Sequence, residues 1–289
     1  VRTPRAARHS GAGDSPSFSG TFAALGRLAY EGTQVSASVV DINSGQTLLA
    51  IDERIVLPTA SIGKILLLIE VSARLTARDA AGLGILDKSA RDAVGDSGLW
   101  QHLQVPSLPV ADLASLVGAT SDNLATNVLL RMVGLEPVRR RTESLGLSRT
   151  ALLDLVRDSR GPDDAPQLSV GSTAELSWLF AALARNEIVD PLTSGRVMGW
   201  LSLNSDLSLV ASAFGLDPLS HRGADHETLL VNKTGTDRGV RSEAGALRGS
   251  QRAVAYAVTL QFNDDSLAAR LRALDGMRAV GLDLLEYVH

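Results

Sequence analysis

The chain has 289 residues, 45% of them hydrophobic, enough to bury a sizeable core in one large domain or two interlocked ones and too many for global disorder. Its 28 lysines and arginines against 32 aspartates and glutamates leave a formal net charge of −4, which gives no broad electrostatic footprint for nucleic acid or an anionic membrane and fits a small, roughly neutral partner. Without cysteine there is no disulfide framework, thiolate zinc site or cysteine nucleophile, and no apolar run is long enough to span a bilayer.

Residues 1–17 carry Arg2, Arg5 and Arg8 and a Gly/Ser/Pro-rich run, and they read as a flexible lead-in without the apolar core of a signal peptide. Phe18, Phe22, Leu25 and Ala29 then recur at helical spacing, and Gly32 supplies a stop. Gln34–Ile42 alternates Val35, Ala37 and Val39 toward one face; with Asn43-Ser44-Gly45 and Thr47–Ile51 it predicts a β-hairpin. From Ser61 to about Ile188 the apolar spacing is helical, notably in Ile65–Leu75, Val110–Leu116, Leu124–Val133 and Leu176–Leu183. The clearest long loop is Asp158–Gln167. Strand character returns in Thr228–Asn232, Ala244–Leu247 and Ala253–Gln261. After Asp264 and Ser266 a last helix places Leu267, Leu271, Leu274, Met277 and Leu284 on one face. Strands therefore come from both ends of the chain. The expected class is α+β: an antiparallel sheet from residues 18–60 and 206–289 flanked by the terminal helices, with residues 61–205 inserted as an all-helical domain and the active site between them.

Ser61-Ile62-Gly63-Lys64 opens a strongly apolar predicted helix. Positions i and i+3 share a helix face, so the Lys64 amine is expected within hydrogen-bond reach of the Ser61 hydroxyl. An amine whose pKa falls on burial can take the proton of a serine that is otherwise a weak nucleophile. At a helix N-terminus, unpaired N–H groups also favour developing negative charge. Taken alone, such a tetrad reads more readily as a capping serine and a solvated lysine. Two further triplets shift the balance: Ser121-Asp122-Asn123 before the helix Leu124–Val133, and Lys233-Thr234-Gly235 at the end of a predicted strand.

In this order the three motifs resemble those of the class A β-lactamases and penicillin-binding proteins, and the resemblance spans nearly the whole chain, including Thr236-Asp237-Arg238-Gly239-Val240-Arg241. It implies a β-lactamase/transpeptidase-like fold and a serine hydrolase that opens β-lactam amides through a Ser61 acyl-enzyme. Ser61, Lys64 and Ser121 would be catalytic, with Ser121 relaying a proton to the leaving nitrogen. Asn123 would orient Lys64 and a substrate amide oxygen. The backbone N–H groups of Ser61 and Thr236 would hold the oxyanion, and Gly235 would let backbone and substrate approach closely. Lys233, Thr234, Thr236 and Arg241 would bind a substrate carboxylate. Asp122 is expected to be structural, bonded to nearby backbone. A D-alanyl peptidase or sensor domain, or a binding protein that keeps the fold, are the alternative outcomes. The resemblance further suggests a secreted or periplasmic protein.

One departure stands out. The family's omega-loop glutamate, with its E-x-x-L-N signature, is missing from Ala151–Gly161, where Asp154 and Asp158 are the candidate substitutes. Slow deacylation is the expectation, because a carboxylate displaced by about 1 Å can cost about a hundredfold in rate. The five histidines, His9, His102, His221, His226 and His289, lie outside the motifs; His221 and His226 with Asp225 and Glu227 read as solvated surface rather than a metal site. Arg139–Arg141 reads as an exposed helix face, and Trp100, Trp178 and Trp200 as packing residues. No metal, cofactor or nucleic-acid partner is expected, and with no apolar stripe left over the chain is expected to be a monomer.

Overall fold

The computed structural model describes residues 18–79, 84–225, 227–264 and 266–289; the expected lead-in 1–17 and His226 lie outside the described residues. In chain order the elements are α1 (Ser19–Tyr30), β1 (Gln34–Asp41), β2 (Thr47–Ile51), β3 (Leu57–Pro58), α2 (Lys64–Thr76), β4 (Ile85–Asp87), β5 (Ser107–Pro109), α3 (Val110–Thr120) and α4 (Asn123–Val133). There follow α5 (Leu135–Ser144), β6 (Ala151–Leu152), β7 (Ser169–Gly171), α6 (Thr173–Ala184), α7 (Pro191–Leu201), β8 (Leu229–Asp237), β9 (Val240–Arg248), β10 (Ala253–Gln261) and α8 (Leu267–Val288). Helix starts follow local chemistry: the side chains of Asp122, Ser172, Asp190 and Ser266 accept from backbone N–H groups of α4, α6, α7 and α8, and Pro191 adds its preset φ to α7.

The main sheet runs β2-β1-β10-β9-β8, all antiparallel, so strands from the two ends of the chain meet at the β1–β10 pair. One face packs with α1, α8 and the turn Val210–Ala213 through Val35, Ala37, Val39, Tyr256, Val258, Met277 and Val280. The other carries Ala244, Ala246, Ala255 and Ala257 into the core of α2, α3, α4, α6 and α7. The middle of the chain is mainly helical, with two small sheets, β3-β7-β6 and β4-β5, that the helical periodicity does not forecast. Strands of two or three residues are too short to show a period of two.

Three sequence expectations change in the packing. β1 is buried on both faces, because Ser36 and Ser38 turn toward α6 and bond Thr173 Oγ1 at 2.7 Å and Ser177 Oγ at 2.9 Å. The buried stripe of α8 is Ala269, Ala273, Met277, Val280 and Leu284, while Leu267 and Leu271 are exposed; on α1 likewise Phe22 points outward and Leu28 inward. Helix packing is close there: a Cβ on Gly276 would stand 2.5 Å from Leu28 Cδ1, and one on Gly281 2.2 Å from the Val210 carbonyl oxygen, so those two positions of the buried face admit no side chain without a shift. Trp100 and Trp200 are buried as expected, whereas Trp178 is exposed.

Candidate active site

Ser61 lies in a 3-10 turn, Ala60–Gly63, that runs directly into α2. The turn is held from behind by Ser169 on β7, whose hydroxyl donates to the Ala60 carbonyl at 2.6 Å, accepts from Gly63 N at 3.3 Å and bonds the Thr59 hydroxyl at 2.8 Å. Two glycines permit this clamp. A Cβ on Gly63 would stand 2.3 Å from Ser169 Cβ, and one on Gly235 2.2 Å from the Thr59 carbonyl oxygen, so β7 and β8 press against the turn from two sides. The close approach of Gly235 is thus to the nucleophile's own segment. Ala60, with φ of 48°, sits in the left-handed region that costs a non-glycine residue about 1–3 kcal/mol, strain that the clamp sustains.

Lys64 is completely buried at the start of α2. Its Nζ donates to the Ser121 carbonyl at 2.6 Å, to Ser121 Oγ at 3.1 Å and to Asn123 Oδ1 at 2.6 Å. It makes no hydrogen bond to Ser61, contrary to the helical-spacing expectation. The two residues straddle the 3-10 turn and the first residue of α2, so they are not one α-helical turn apart, and three oxygens of the Ser121–Asn123 segment take the amine's donors. Among the described residues the Ser61 hydroxyl has no hydrogen-bond partner. Burial, helped by the Lys233 charge and opposed by Asp122 and Asp96, drives the Lys64 pKa well below that of a free lysine.

Ser121 occupies the break between α3 and α4 with φ of 56°. Its Oγ also accepts from Lys233 Nζ at 3.1 Å, so one hydroxyl bridges two buried amines. Lys233 donates to the Thr234 carbonyl at 2.7 Å, and burial lowers its pKa to about 8. Asn123 completes the cluster by donating from Nδ2 to the Gly95 carbonyl at 3.1 Å. Asp122 is structural, its carboxylate accepting from Leu99 N, Trp100 N and Ala125 N at 2.7, 2.8 and 2.9 Å.

β8 is the edge strand of the main sheet and continues through Lys233-Thr234-Gly235 to Asp237 rather than ending there. Thr234 is buried and Thr236 exposed. Arg241, opposite Thr236 in the ladder, folds back on its own hairpin. Its guanidinium donates to the Asp237 and Val240 carbonyls at 2.9 and 2.7 Å and stacks over Phe262. The structure therefore brings Lys64, Ser121, Asn123 and Lys233 together by hydrogen bonds and Gly235 against the Ser61 turn, while Arg241 is engaged elsewhere.

Each of the two candidate aspartates in the loop is engaged by a hydrogen-bond partner. Asp154 is buried under Arg157 and Arg160, with contacts of 2.9 and 2.6 Å; burial raises its pKa, but the bonds from Arg157, Leu155 N and Arg160 outweigh this and hold it below the ordinary carboxylate value. Asp158 is exposed and accepts from Gly95 N at 2.8 Å. Between them Val156 is fixed by Asn127, whose side chain accepts from its N–H at 2.9 Å and donates to its carbonyl at 3.0 Å. Asn127 lies one helical turn after Asn123 on the same face of α4, and the loop residue it holds is an aliphatic one.

Ser169 and Asn127 escaped the motif reading. A buried asparagine four residues after Asn123 in an otherwise apolar helix was the available signal for the second. Composition held another. The chain has only three lysines, and two of them are this buried pair, in a protein whose other cationic side chains are, apart from Lys88, arginines. Lysine shifts its pKa on burial where arginine stays charged. Among the described residues no group of histidines and carboxylates could hold a metal ion; His221 is buried with Nδ1 against the Asp217 carbonyl, and His289 bonds Thr228 Oγ1.

An antiparallel sheet covered on one face by the terminal helices, with a serine turn and two buried lysines around a second serine where the sheet meets the other helices, describes a serine β-lactamase-like hydrolase. A profile of the β-lactamase enzyme family matches residues 20–288, and the chain belongs to that family. Among curated proteins none matches it. Of solved structures, a β-lactamase from Sphaerobacter thermophilus is similar at 23% identity with a TM-score of 0.78, over 92% of this chain and 96% of that one. An acyl-enzyme complex of penicillin G with a Leu-to-Glu variant of PBP-A is similar at 17% identity and 0.76, over 93% and 96%. A class A β-lactamase from Mycobacterium abscessus follows at 16% and 0.74, over 92% and 98%.

Proposed function

We propose that this hydrolase opens β-lactam amides through an acyl-enzyme on Ser61 and releases the acyl group slowly. The observation that carries the reading is the Ser121 hydroxyl 3.1 Å from both buried amines. Neutral Lys64 takes the Ser61 proton as Oγ attacks the carbonyl carbon, and the C–N bond then breaks with a proton passed through Ser121 to the departing nitrogen. The N–H groups of Ser61 and of Thr236, the latter on an edge strand with alternate N–H groups free, receive the oxyanion. Protonated Lys233, with the hydroxyls of Thr234 and Thr236, holds the substrate carboxylate. Arg241 adds positive potential nearby and reaches the substrate only by leaving its hairpin carbonyls.

Slow release rests on the loop. Asp154 is held by two arginines, Asp158 accepts from Gly95 N, and Val156 stands where Asn127 fixes the chain, so that fixed position offers no carboxylate to draw a proton from water. A second reading, a peptidase or sensor that acylates on D-alanyl peptides, draws on the likeness to PBP-A, whose Glu-substituted variant was captured as a penicillin G acyl-enzyme.

Intact-protein mass spectrometry with penicillin G, alongside hydrolysis of a chromogenic cephalosporin, tests this. The expected result is a long-lived adduct equal in mass to penicillin G, with little turnover. Rapid turnover without an adduct would refute slow release. Neither adduct nor turnover in the folded chain would leave a binding protein, and release of D-alanine from a D-alanyl-D-alanine peptide would favour the second reading.

A further inference from the structure

The turn that carries the nucleophile is organised around one hydroxyl from a distant part of the chain. Ser169, on β7, and Thr59, just ahead of the turn, are both completely buried. A serine hydroxyl has one proton to give and two lone pairs with which to accept. The Ser169 proton goes to the Ala60 carbonyl oxygen at 2.6 Å, so the Thr59 hydroxyl at 2.8 Å is the donor of its pair, and Gly63 N supplies the third bond at 3.3 Å. Every bonding capacity of the Ser169 hydroxyl is thus spent on residues 59–63. The backbone adds to the frame: Thr59 N donates to the Ser169 carbonyl at 3.1 Å, and Ile62 N closes the turn on the Thr59 carbonyl at 3.1 Å.

The Ala60 carbonyl and the Ser61 N–H belong to one peptide group. That group is trans and planar, so its C=O and N–H point in opposite directions. With the carbonyl aimed at Ser169, the Ser61 N–H is turned away from β7. Ala60 reaches this orientation at φ of 48°, a region that a residue with a Cβ leaves unless its surroundings hold it there. Packing against Gly63 uses the Ser169 Cβ; what the hydroxyl adds is direction. We propose that Ser169 is a positioning residue for acylation, its hydroxyl holding the Ala60–Ser61 peptide in the strained orientation that presents the Ser61 N–H to the oxyanion. The loop after β6 ends at β7, so the same side chain ties that loop to the nucleophile.

The effect on rate rests on the function proposed above; the effect on the peptide does not. Crystal structures of the unaltered protein and of Ser169→Ala test the second directly. The variant should show the Ala60–Ser61 peptide rotated and Ala60 out of the left-handed region, and an unchanged peptide would overturn the proposal. With penicillin G labelled with 13C at the lactam carbonyl, the adduct's ester C=O stretch reports how strongly the oxyanion donors polarise it. In Ser169→Ala that stretch should move to higher wavenumber, and acylation should slow about tenfold to a hundredfold while the non-covalent dissociation constant stays within about twofold. A slower rate with an unmoved stretch would overturn the proposal. Glycine adopts the left-handed conformation without penalty, so Ala60→Gly/Ser169→Ala should regain part of the lost rate. A double variant no faster than Ser169→Ala counts against the proposal as well. Should Ser169→Ala fail to fold, Ser169→Cys keeps a side chain in place with a weaker donor, and an unmoved stretch there overturns the proposal equally. Absence of any adduct in the unaltered protein would refute the acyl-enzyme alone, and the crystal structures would still decide what Ser169 holds.

Discussion

Lys64 has only neutral oxygens as hydrogen-bond acceptors and another ammonium beside its shared partner Ser121. Both conditions favour the free amine, the form that can accept a proton from Ser61. The sign of the coupling makes a test. Acylation fades as the pH falls through the Lys64 pKa; Lys233 holds that pKa down, so Lys233→Met should raise it and move the acid limb of adduct formation to higher pH, measured at saturating β-lactam. A limb that stays put would assign the base elsewhere. Ser61→Ala should abolish the adduct while shifting the melting temperature by no more than about 2 °C, because the hydroxyl has no partner among the described residues and its loss leaves no donor stranded. An adduct surviving in that variant would point to another nucleophile.

The loop between β6 and β7 is held as an element rather than by one contact. Asp154 gathers Arg157 and Arg160, Arg157 also reaches Asp164 at 3.0 Å, and Asn127 pins Val156 to α4. Asp154→Asn should lower the melting temperature by about 2–4 °C, a small effect because the arginines remain partly in water. The carboxylate's contribution is complete above its ordinary pKa of 3.8 and is lost as the pH falls through the lower value it holds in the fold, so the variant should also lose part of the protein's acid sensitivity. Val156→Glu places a carboxylate where Asn127 pins the loop to α4, one helical turn from Asn123. The adduct lifetime should shorten on the order of tenfold to a hundredfold, read by mass spectrometry after a pulse of penicillin G. No shortening would mean that release is limited by something other than a missing base.

Much of the architecture was legible at the scale of the whole molecule. The end strands, the terminal helices and the three motif segments follow from periodicity and residue order, and Lys233 and Ser121, 112 residues apart, do meet. What escaped was set by packing. On α8, Met277 and Leu284 are buried as expected but Leu267 and Leu271 are exposed, because a stripe that counts leucines overlooks Ala269, Ala273 and Gly276, which allow the helix to pack closely. Gly276→Val should therefore destabilise by about 1–3 kcal/mol, seen in chemical denaturation, and leave the rate of adduct formation unchanged. A matching loss of both would tie that contact to the site. The absent Lys64–Ser61 bond escaped for a different reason: four letters of sequence do not distinguish a 3-10 turn from the first turn of an α-helix. Asn127 and Ser169 escaped because a buried polar residue is recognisable only once its partners are placed.

The pairing of β1 with β10 also bears on how the protein is made. Val35 must wait for Leu260, and the Ser61 turn for Gly235, so a chain emerging from the ribosome carries its nucleophile long before the strand that completes the site. Until the last quarter is synthesised, β1 has β2 on one side and an open edge on the other, an interval in which chaperones or neighbouring nascent chains compete for the same ladder of hydrogen bonds.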